Sequence, residues 1–232
     1  MKKIIFPVLF LFSVAVSAQE VTPKSVIEKY ITAIGGQTAV AGIKDFYMEV
    51  EGSVQGQDMS MVVQKKLPNK LFTSVNVSGM GEVQKMVFDG TKGLSSSMGN
   101  EQVLEGEATK QLEAQSSIIG EIEYLKDLEK LTFEGTEVID GQNCNVLTIQ
   151  NAVGEAKEYY SIDSGLKIRQ INEMETPMGA TTITIDYKDY KKVGDIMFPH
   201  TLKQDMGVMA MELTVKTIKM NQNLADSIFE VK

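Results

Sequence analysis

Cysteine, histidine and tryptophan are almost missing from these 232 residues, which hold one, one and none of them. A single cysteine, Cys144, excludes an internal disulfide. It lies in an apolar stretch that predicts a strand, where a free thiol is usually buried and unreactive. The lone histidine, His200, cannot supply the several nitrogen or sulfur ligands of a zinc site. We therefore expect no metal site, and we assign Cys144 no chemistry.

Sequence motifs of catalysis are missing as well. There is no Gly-x-Ser-x-Gly elbow, and neither Cys144 nor His200 stands in a local signature of a nucleophile or its base. The glycines at 79 and 81 lack the lysine and hydroxyl residue of a phosphate loop. Carboxylates are plentiful, but abundance does not make a pair held at working distance. We expect no enzyme, no cofactor and no nucleotide site.

The chain has no apolar run long enough to span a bilayer. The run Ile4–Val16 has about 13 residues, whereas a membrane helix needs roughly 20. Lys2 and Lys3 precede it, and small residues end it, so the pattern predicts a signal peptide that is cleaved after Ala18. No cysteine follows the run, so we expect an exported, periplasmic protein that is soluble and carries no lipid anchor.

Removing the signal peptide leaves residues 19–232, which we interpret as one domain with a substantial core. Lys2 and Lys3 leave with the peptide, so the formal charge of −8 becomes −10. Nucleic acids and anionic membrane surfaces favour a basic patch, and this balance argues against both as partners.

Helical periodicity is confined to two regions. Thr22-Pro23 is typical of a helix start, apolar residues then recur at helical spacing up to Ile34, and Gly35-Gly36 predicts the end. A second, shorter helix is predicted over 39–43. The stretch Glu107–Glu129 is rich in helix formers and predicts one or two helices that cross between two sets of strands and contact the sheet.

Elsewhere the apolar period is two, with turn residues at intervals that suit consecutive hairpins. The fold class is therefore mainly β (α+β), with about eleven antiparallel strands in a curved sheet or half-barrel covered by helices. The strands are predicted near 46–51, 59–64, 70–78, 82–88, 131–139, 143–150, 155–162, 166–174, 180–190, 199–206 and 208–219.

Methionine is the unusual component, with 14 residues in the chain. Its flexible thioether fills irregular space in protein cores, and it also lines surfaces that accept apolar partners of varied shape. A strongly curved sheet has a concave face that helices or a ligand must cover. Many methionines take alternating strand positions suited to that face: Met48, Met59, Met61, Met86, Met206, Met209 and Met211.

Four segments together resemble the LolA/LolB-like superfamily, especially outer-membrane lipoprotein-sorting proteins of the Bacteroidota. The segments are Ile27–Gly36, Val87–Gly93, Tyr159–Leu166 and the stretch from Asp186-Tyr187-Lys188-Asp189-Tyr190 to Phe198-Pro199-His200. The resemblance implies a half-barrel of about eleven strands, closed by helices, that shelters lipid chains while they cross the periplasm. Characterised carriers use an early-strand arginine and a tryptophan, but this chain has no tryptophan and only Arg169, so the resemblance assigns no site residues.

We therefore expect a carrier that binds lipid acyl chains or an acylated protein in an apolar cavity, with a possible envelope protein as a further partner. The alternative is an interaction or sensor module that binds a protein partner through the same fold. For the carrier, we expect ligand contacts from apolar residues of the early and late strands. They are Phe46, Met48, Val50, Met59, Met61, Val63, Phe72, Met86, Phe88, Met209 and Met211.

Overall fold

A computed structural model describes residues 20–231 apart from positions 55, 152, 153, 177, 178 and 208. The predicted signal peptide lies outside the described residues. So do residue 208, where the last predicted strand begins, and residues 55, 152, 153, 177 and 178, which fall between predicted strands.

The first helix, α1 (Pro23–Ile34), forms as the sequence predicts. The Thr22 hydroxyl accepts a hydrogen bond from the Ser25 backbone N–H at 3.2 Å, and the Ser25 hydroxyl accepts one from Thr22 N–H at 3.0 Å. This reciprocal cap satisfies two N–H groups that a helix start leaves unpaired. The apolar stripe from Val26 to Ile34 is buried. The next helix, α2 (Gln37–Ala41), begins and ends two residues earlier than predicted.

One large antiparallel sheet dominates the described residues, as the fold class predicted. Its thirteen strands run in the order β6-β5-β4-β3-β2-β1-β15-β14-β11-β10-β9-β8-β7, and β12 and β13 pair in a small separate sheet. The strands are β1 (Asp45–Val54), β2 (Gln57–Lys66), β3 (Lys70–Val77), β4 (Gly81–Phe88), β5 (Gly93–Ser97), β6 (Asn100–Leu104), β7 (Leu131–Ile139), β8 (Gln142–Asn151), β9 (Gly154–Ser161), β10 (Lys167–Thr176), β11 (Gly179–Lys188), β12 (Lys191–Val193), β13 (Ile196–Phe198), β14 (Thr201–Asp205) and β15 (Ala210–Met220).

The sheet has more strands than the eleven predicted, chiefly because β5 and β6 escape the apolar pattern. Their sequences, Gly-Leu-Ser-Ser-Ser and Asn-Glu-Gln-Val-Leu, are mostly polar, so no alternation marks them. The two strands pair with each other, with β5 beside β4 and β6 at the edge of the sheet.

The region predicted to form one or two helices forms two short ones, and we call it the crossing segment (residues 106–130). It contains turns of 3-10 helix at Gly106–Thr109 and Leu128–Lys130 and two α-helices, α3 (Lys110–Ser116) and α4 (Glu121–Tyr124). Serine and glycine between α3 and α4 favour turns over continued helix. The predicted contact with the sheet is confirmed, because Leu112 packs against Leu71 and Phe88.

The largest core cluster lies between these helices and one face of the sheet. It joins Ile27 of α1, Phe46 of β1 and Leu147 of β8, although β15, β14, β11, β10 and β9 separate those two strands in the sheet. The sheet therefore curves round the helices. We call the face that bears Phe46 and Leu147 the inner face.

Candidate functional site

Nine of the eleven predicted ligand contacts share the inner face. Directly paired residues of antiparallel strands point to the same side, and the side alternates along each strand. The pairings Met48 with Val63 and Val50 with Met61 carry this face from β1 to β2, and the pairings beyond them extend it. The nine are Phe46, Met48, Val50, Met59, Met61, Val63, Met86, Phe88 and Met211.

Phe72 and Met209 stand apart from these nine. Phe72 pairs with Gln64 and Val87, which places it on the outer face, so a strand-parity shift of one residue misplaced it. Met209 precedes β15, and its carbonyl accepts a hydrogen bond from Met206 N–H at 2.9 Å within the hairpin that leads into that strand.

The nine residues divide into separate clusters. Phe46 belongs to the main core beneath the helices, where its ring centroid lies 5.4 Å from that of Phe198. Phe88 is buried against Leu71 and Leu112, with Val63 and Met86 packed at its margin. These positions are occupied by ordinary core packing.

The other five predicted residues belong to a third cluster, which also contains Leu213 and Val215. We call its surface the methionine floor: Met48, Met59, Met61 and Met211 around Val50, Leu213 and Val215. The three aliphatic residues are buried, whereas the four methionines are only partly buried and pack over them. Apart from methionine, the partly buried residues packed on this cluster are Leu202 and Ile218, both from strands. Flexible thioethers therefore cover this part of the inner face.

An open cleft of about 750 Å³ lies elsewhere, between the crossing segment and the sheet. None of the eleven predicted residues lines it. Its walls are rich in amide side chains from both sides of the opening: Asn69, Gln111, Gln115, Asn151, Gln170 and Asn172. The cleft is thus lined by residues other than the predicted ligand contacts.

A buried ionic cluster joins the crossing segment to the sheet. The Lys167 ammonium of β10 lies 2.5 Å from Glu121 Oε1 of α4 and 3.2 Å from Glu158 Oε1 of β9. All three side chains are less than a tenth exposed. Tyr124 and Tyr160 both donate hydrogen bonds to Glu158. Paired and hydrogen-bonded in this way, the charges meet the condition for burial.

The electrostatics keep Lys167 protonated. Burial by itself lowers the pKa of Lys167, but the carboxylates of Glu121 and Glu158 outweigh it and raise that pKa well above its usual value. Burial, followed by the charge of Glu158, raises the pKa of Tyr124 and Tyr160, so both phenols remain donors. The cluster acts as a fixed latch for α4.

A second lysine, from the distant strand β2, contacts the crossing segment on the same inner face. The Lys65 ammonium donates a hydrogen bond of 2.6 Å to the Ser117 carbonyl. Burial lowers its pKa to about 8, and the charge of Glu121 opposes that shift. Lys65 and Lys167 thus hold the segment at points four residues apart, at Ser117 and Glu121.

Sequence reasoning missed this cluster, although one signal was present. Glu158 occupies an inner-face position between the buried Ala156 and Tyr160. A carboxylate in such an alternation must have a partner when buried. The partners come from distant segments, and the sequence pattern does not identify them.

Possible metal ligands are dispersed in the part of the chain that the structure describes. No group of three or more histidine, cysteine or acidic residues there could hold a metal ion. Cys144 is fully buried, as predicted, and burial raises the pKa of its thiol. His200 Nδ1 lies 3.0 Å from the Phe198 carbonyl oxygen, close to the entry of β14.

No protein-family model matches this chain, and no curated protein sequence matches it. Solved structures that are similar in fold include the following three. A LolA superfamily protein from Nitrosomonas europaea has a TM-score of 0.61 at 14% identity, over 91% of this chain and 99% of that one. A DUF1329 family protein from Desulfovibrio piger has a TM-score of 0.56 at 11% identity, over 90% and 98%. A putative outer membrane lipoprotein-sorting protein domain from Vibrio parahaemolyticus has a TM-score of 0.54 at 13% identity, over 89% and 96%.

These similarities show that the chain has a LolA-like fold, which is the architecture that the resemblance implied. Identities this low speak to fold alone. Within the described residues, none of the helices combines the length and apolar character that crossing a bilayer requires.

Replacing Glu121 with glutamine should release the crossing segment. Lys167 would stay buried with one carboxylate instead of two, and losing one partner of a buried ion pair costs about 3 kcal/mol. In hydrogen exchange, amides of α3 and α4 should lose protection more than those of β8 and β9. The matched control is E123Q, whose exposed pair with Lys126 contributes less than about 1 kcal/mol. Equal exchange in E121Q and E123Q would contradict the latch.

Because the pKa of Lys65 is lowered, we predict that this lysine makes the folded chain more stable as the pH rises above 8. The unfolded chain binds more protons than the folded chain between about pH 8 and the ordinary value of 10.5, so the free energy of unfolding rises with pH in that window. Between pH 8 and pH 10, the wild-type chain should gain about 2 kcal/mol relative to K65M in urea unfolding. K24M, at an exposed lysine, is the control. Parallel pH profiles for wild type and K65M would disprove the assignment.

Proposed function

We propose that this protein is a periplasmic carrier that shelters acyl chains of a lipid or an acylated protein on its methionine floor. In this proposal, residues 1–18 are removed after export and residues 19–232 act as one domain without catalysing a reaction. The observation that supports it most is the floor itself, an inner-face surface of partly exposed thioethers around a buried aliphatic centre.

The methionine floor suits such a ligand because its side chains can move without exposing polar groups. Each acyl methylene removed from water contributes about 0.8 kcal/mol, so one chain of ordinary length supplies a strong driving force. The thioethers of Met59, Met61 and Met211 now cover Val50, and an acyl chain would take their place. Methionine has three rotatable side-chain bonds, which lets one surface fit chains of different shape.

Two groups of residues have different roles in this proposal. Met48, Met59, Met61, Met211 and Val50 would contact the acyl chain. Phe46, Val63, Met86 and Phe88 support the floor from adjoining clusters, and they would contact ligand only if the helices moved.

A protein-binding module is the second candidate, and the open sheet is the observation that favours it. β6 and β7 are the edge strands, and neither has a second neighbour among the described residues. An extended peptide could add to such an edge. However, the register of β7 shifts between Phe133 and Gly135, and irregularities of this kind discourage strand addition.

Placing two charges on the methionine floor should abolish acyl binding. In M61E/M211E, binding would bury carboxylates against the chain, so the affinity for a fluorescent fatty acid should fall at least about tenfold. Circular dichroism and urea unfolding would establish that the variant is folded.

The matched control is V62E, one residue from Met61 but on the outer face, where it pairs with Glu49 and Ser74. It should bind like the wild type. Unchanged binding in a folded M61E/M211E would remove the floor from the site. Absence of fatty acid binding by the wild type would favour the protein-binding module.

A further inference from the structure

Four hairpin turns lie at the same end of eight neighbouring strands. They connect β1 to β2, β3 to β4, β5 to β6 and β14 to β15, which are consecutive in the sheet. The register shows that the turns share one end of the strands, because Met59 pairs with both Gly52 and Val77, and Gly52 also pairs with Leu213. We call this end of the sheet the hairpin rim, and its described methionines are Met80, Met98, Met206 and Met209.

Three of these hairpins carry the same dipeptide at the turn, which is Met80-Gly81, Met98-Gly99 and Met206-Gly207. The glycines have φ values of 77°, 80° and 78°, a left-handed conformation that glycine adopts without steric cost. The methionine before each glycine therefore stands at the turn. Met80 and Met98 are 54% and 60% exposed, an arrangement that core packing does not explain.

The hairpin rim has uncharged turns with acidic flanks. The described residues from 54 to 56, 78 to 80, 98 to 99 and 206 to 209 carry no charge, but a carboxylate lies within two residues of each turn: Asp58, Glu82, Glu101 and Asp205. At the opposite end of the same strands, Lys66 and Lys70 pair with Asp226, and Lys92 pairs with Glu105. An anionic membrane would repel the carboxylates beside the turns. The rim therefore suits a surface that has no net charge.

The rim is continuous with the methionine floor. Met59 lies on the inner face two residues into β2, next to Val77, which leads directly into the turn that holds Met80. Met211 lies two residues after Met209. The packing residues of the crossing segment, by contrast, contact Leu71 and Phe88 at the far ends of their strands. Thioethers therefore extend from the rim to the floor along the end of the sheet away from α3.

We propose that the hairpin rim docks onto a lipid bilayer without net charge, with Met80 and Met98 inserted among the headgroups. An acyl chain then passes from the bilayer along Met59 and Met211 onto the floor. The second step rests on the proposed function, whereas docking does not depend on it. Methionine suits this contact because it is apolar and flexible and introduces no charge that would have to be desolvated.

The test uses a property of the sequence, which contains no tryptophan. M80W places a single indole on the rim of the mature chain, and V138W places one at an equally open position, 66% exposed, next to the β7–β8 turn. With phosphatidylcholine vesicles, M80W emission should shift to the blue and V138W emission should not. No shift for M80W, or equal shifts for both, overturns the docking.

A charge-matched pair of variants tests the methionines themselves. M80E/M98E should reduce co-sedimentation with phosphatidylcholine vesicles about tenfold or more. V103E/V138E adds the same charge at two exposed valines away from the rim and should sediment like the wild type. Equal loss in both variants overturns the proposal.

Lipid charge and ligand uptake supply the remaining outcomes. Including phosphatidylglycerol in the vesicles should not strengthen binding, and a rise that salt reverses would assign the contact to lysines elsewhere on the surface and overturn the docking through the rim. M80E/M98E should still take up a soluble fluorescent fatty acid, because the floor is intact. Vesicle binding without fatty acid uptake by the wild type would reject the carrier but keep the docking, and the reverse result would reject the docking alone.

Discussion

The sheet of this protein stays open, so its inner face needs cover that the strands do not supply by pairing. Over β7, β8 and β9, and at the start of β1, α1 and the crossing segment supply that cover and form the main core. Around Val50, methionine side chains of the strands themselves cover the face. The two kinds of cover differ in rigidity, because helices bury fixed apolar stripes whereas thioethers change rotamer easily. A ligand that binds to the methionine floor would displace methionine side chains, and the helices could stay in place.

The crossing segment could not be helical on its own. Its two α-helices have seven and four residues, far below the length at which an isolated helix is stable in water. Contacts hold it instead: Leu112 against Leu71 and Phe88, Ser117 bonded to Lys65, and Glu121 paired with Lys167. An ion pair desolvated in this way specifies position more than it stabilises, since apolar packing could replace it at little cost. The amide-lined cleft next to it is consequently bounded by a segment in a defined place.

Much of the fold could be predicted from the sequence. The cap of α1, the apolar stripe from Val26 to Ile34 and the alternation in β1 and β2 each follow from local residue patterns. Local pattern failed where strands are mostly polar in sequence, as in β5 and the edge strand β6, and where one residue of parity mattered, as at Phe72. The sequence placed nine of the residues on a common face, but it could not show that Phe46 and Phe88 lie in separate clusters.

The buried ionic cluster shows a different limit. The curvature of the sheet and the path of the crossing segment bring together Glu121, Glu158 and Lys167. No short stretch of sequence determines that curvature or that path. The methionine floor has the same origin. Met59 and Met61 come from one hairpin, and Met211 joins them because β15 closes beside β1.

Native mass spectrometry of the mature protein, isolated from its own envelope and compared before and after organic extraction, tests the carrier function most directly. The account predicts a bound mass in the range of a lipid or an acylated peptide, which extraction removes. It also predicts that M61E/M211E, isolated in the same way, carries no such mass. A clean apoprotein mass, together with no uptake of added fatty acid or phospholipid, would contradict the carrier function.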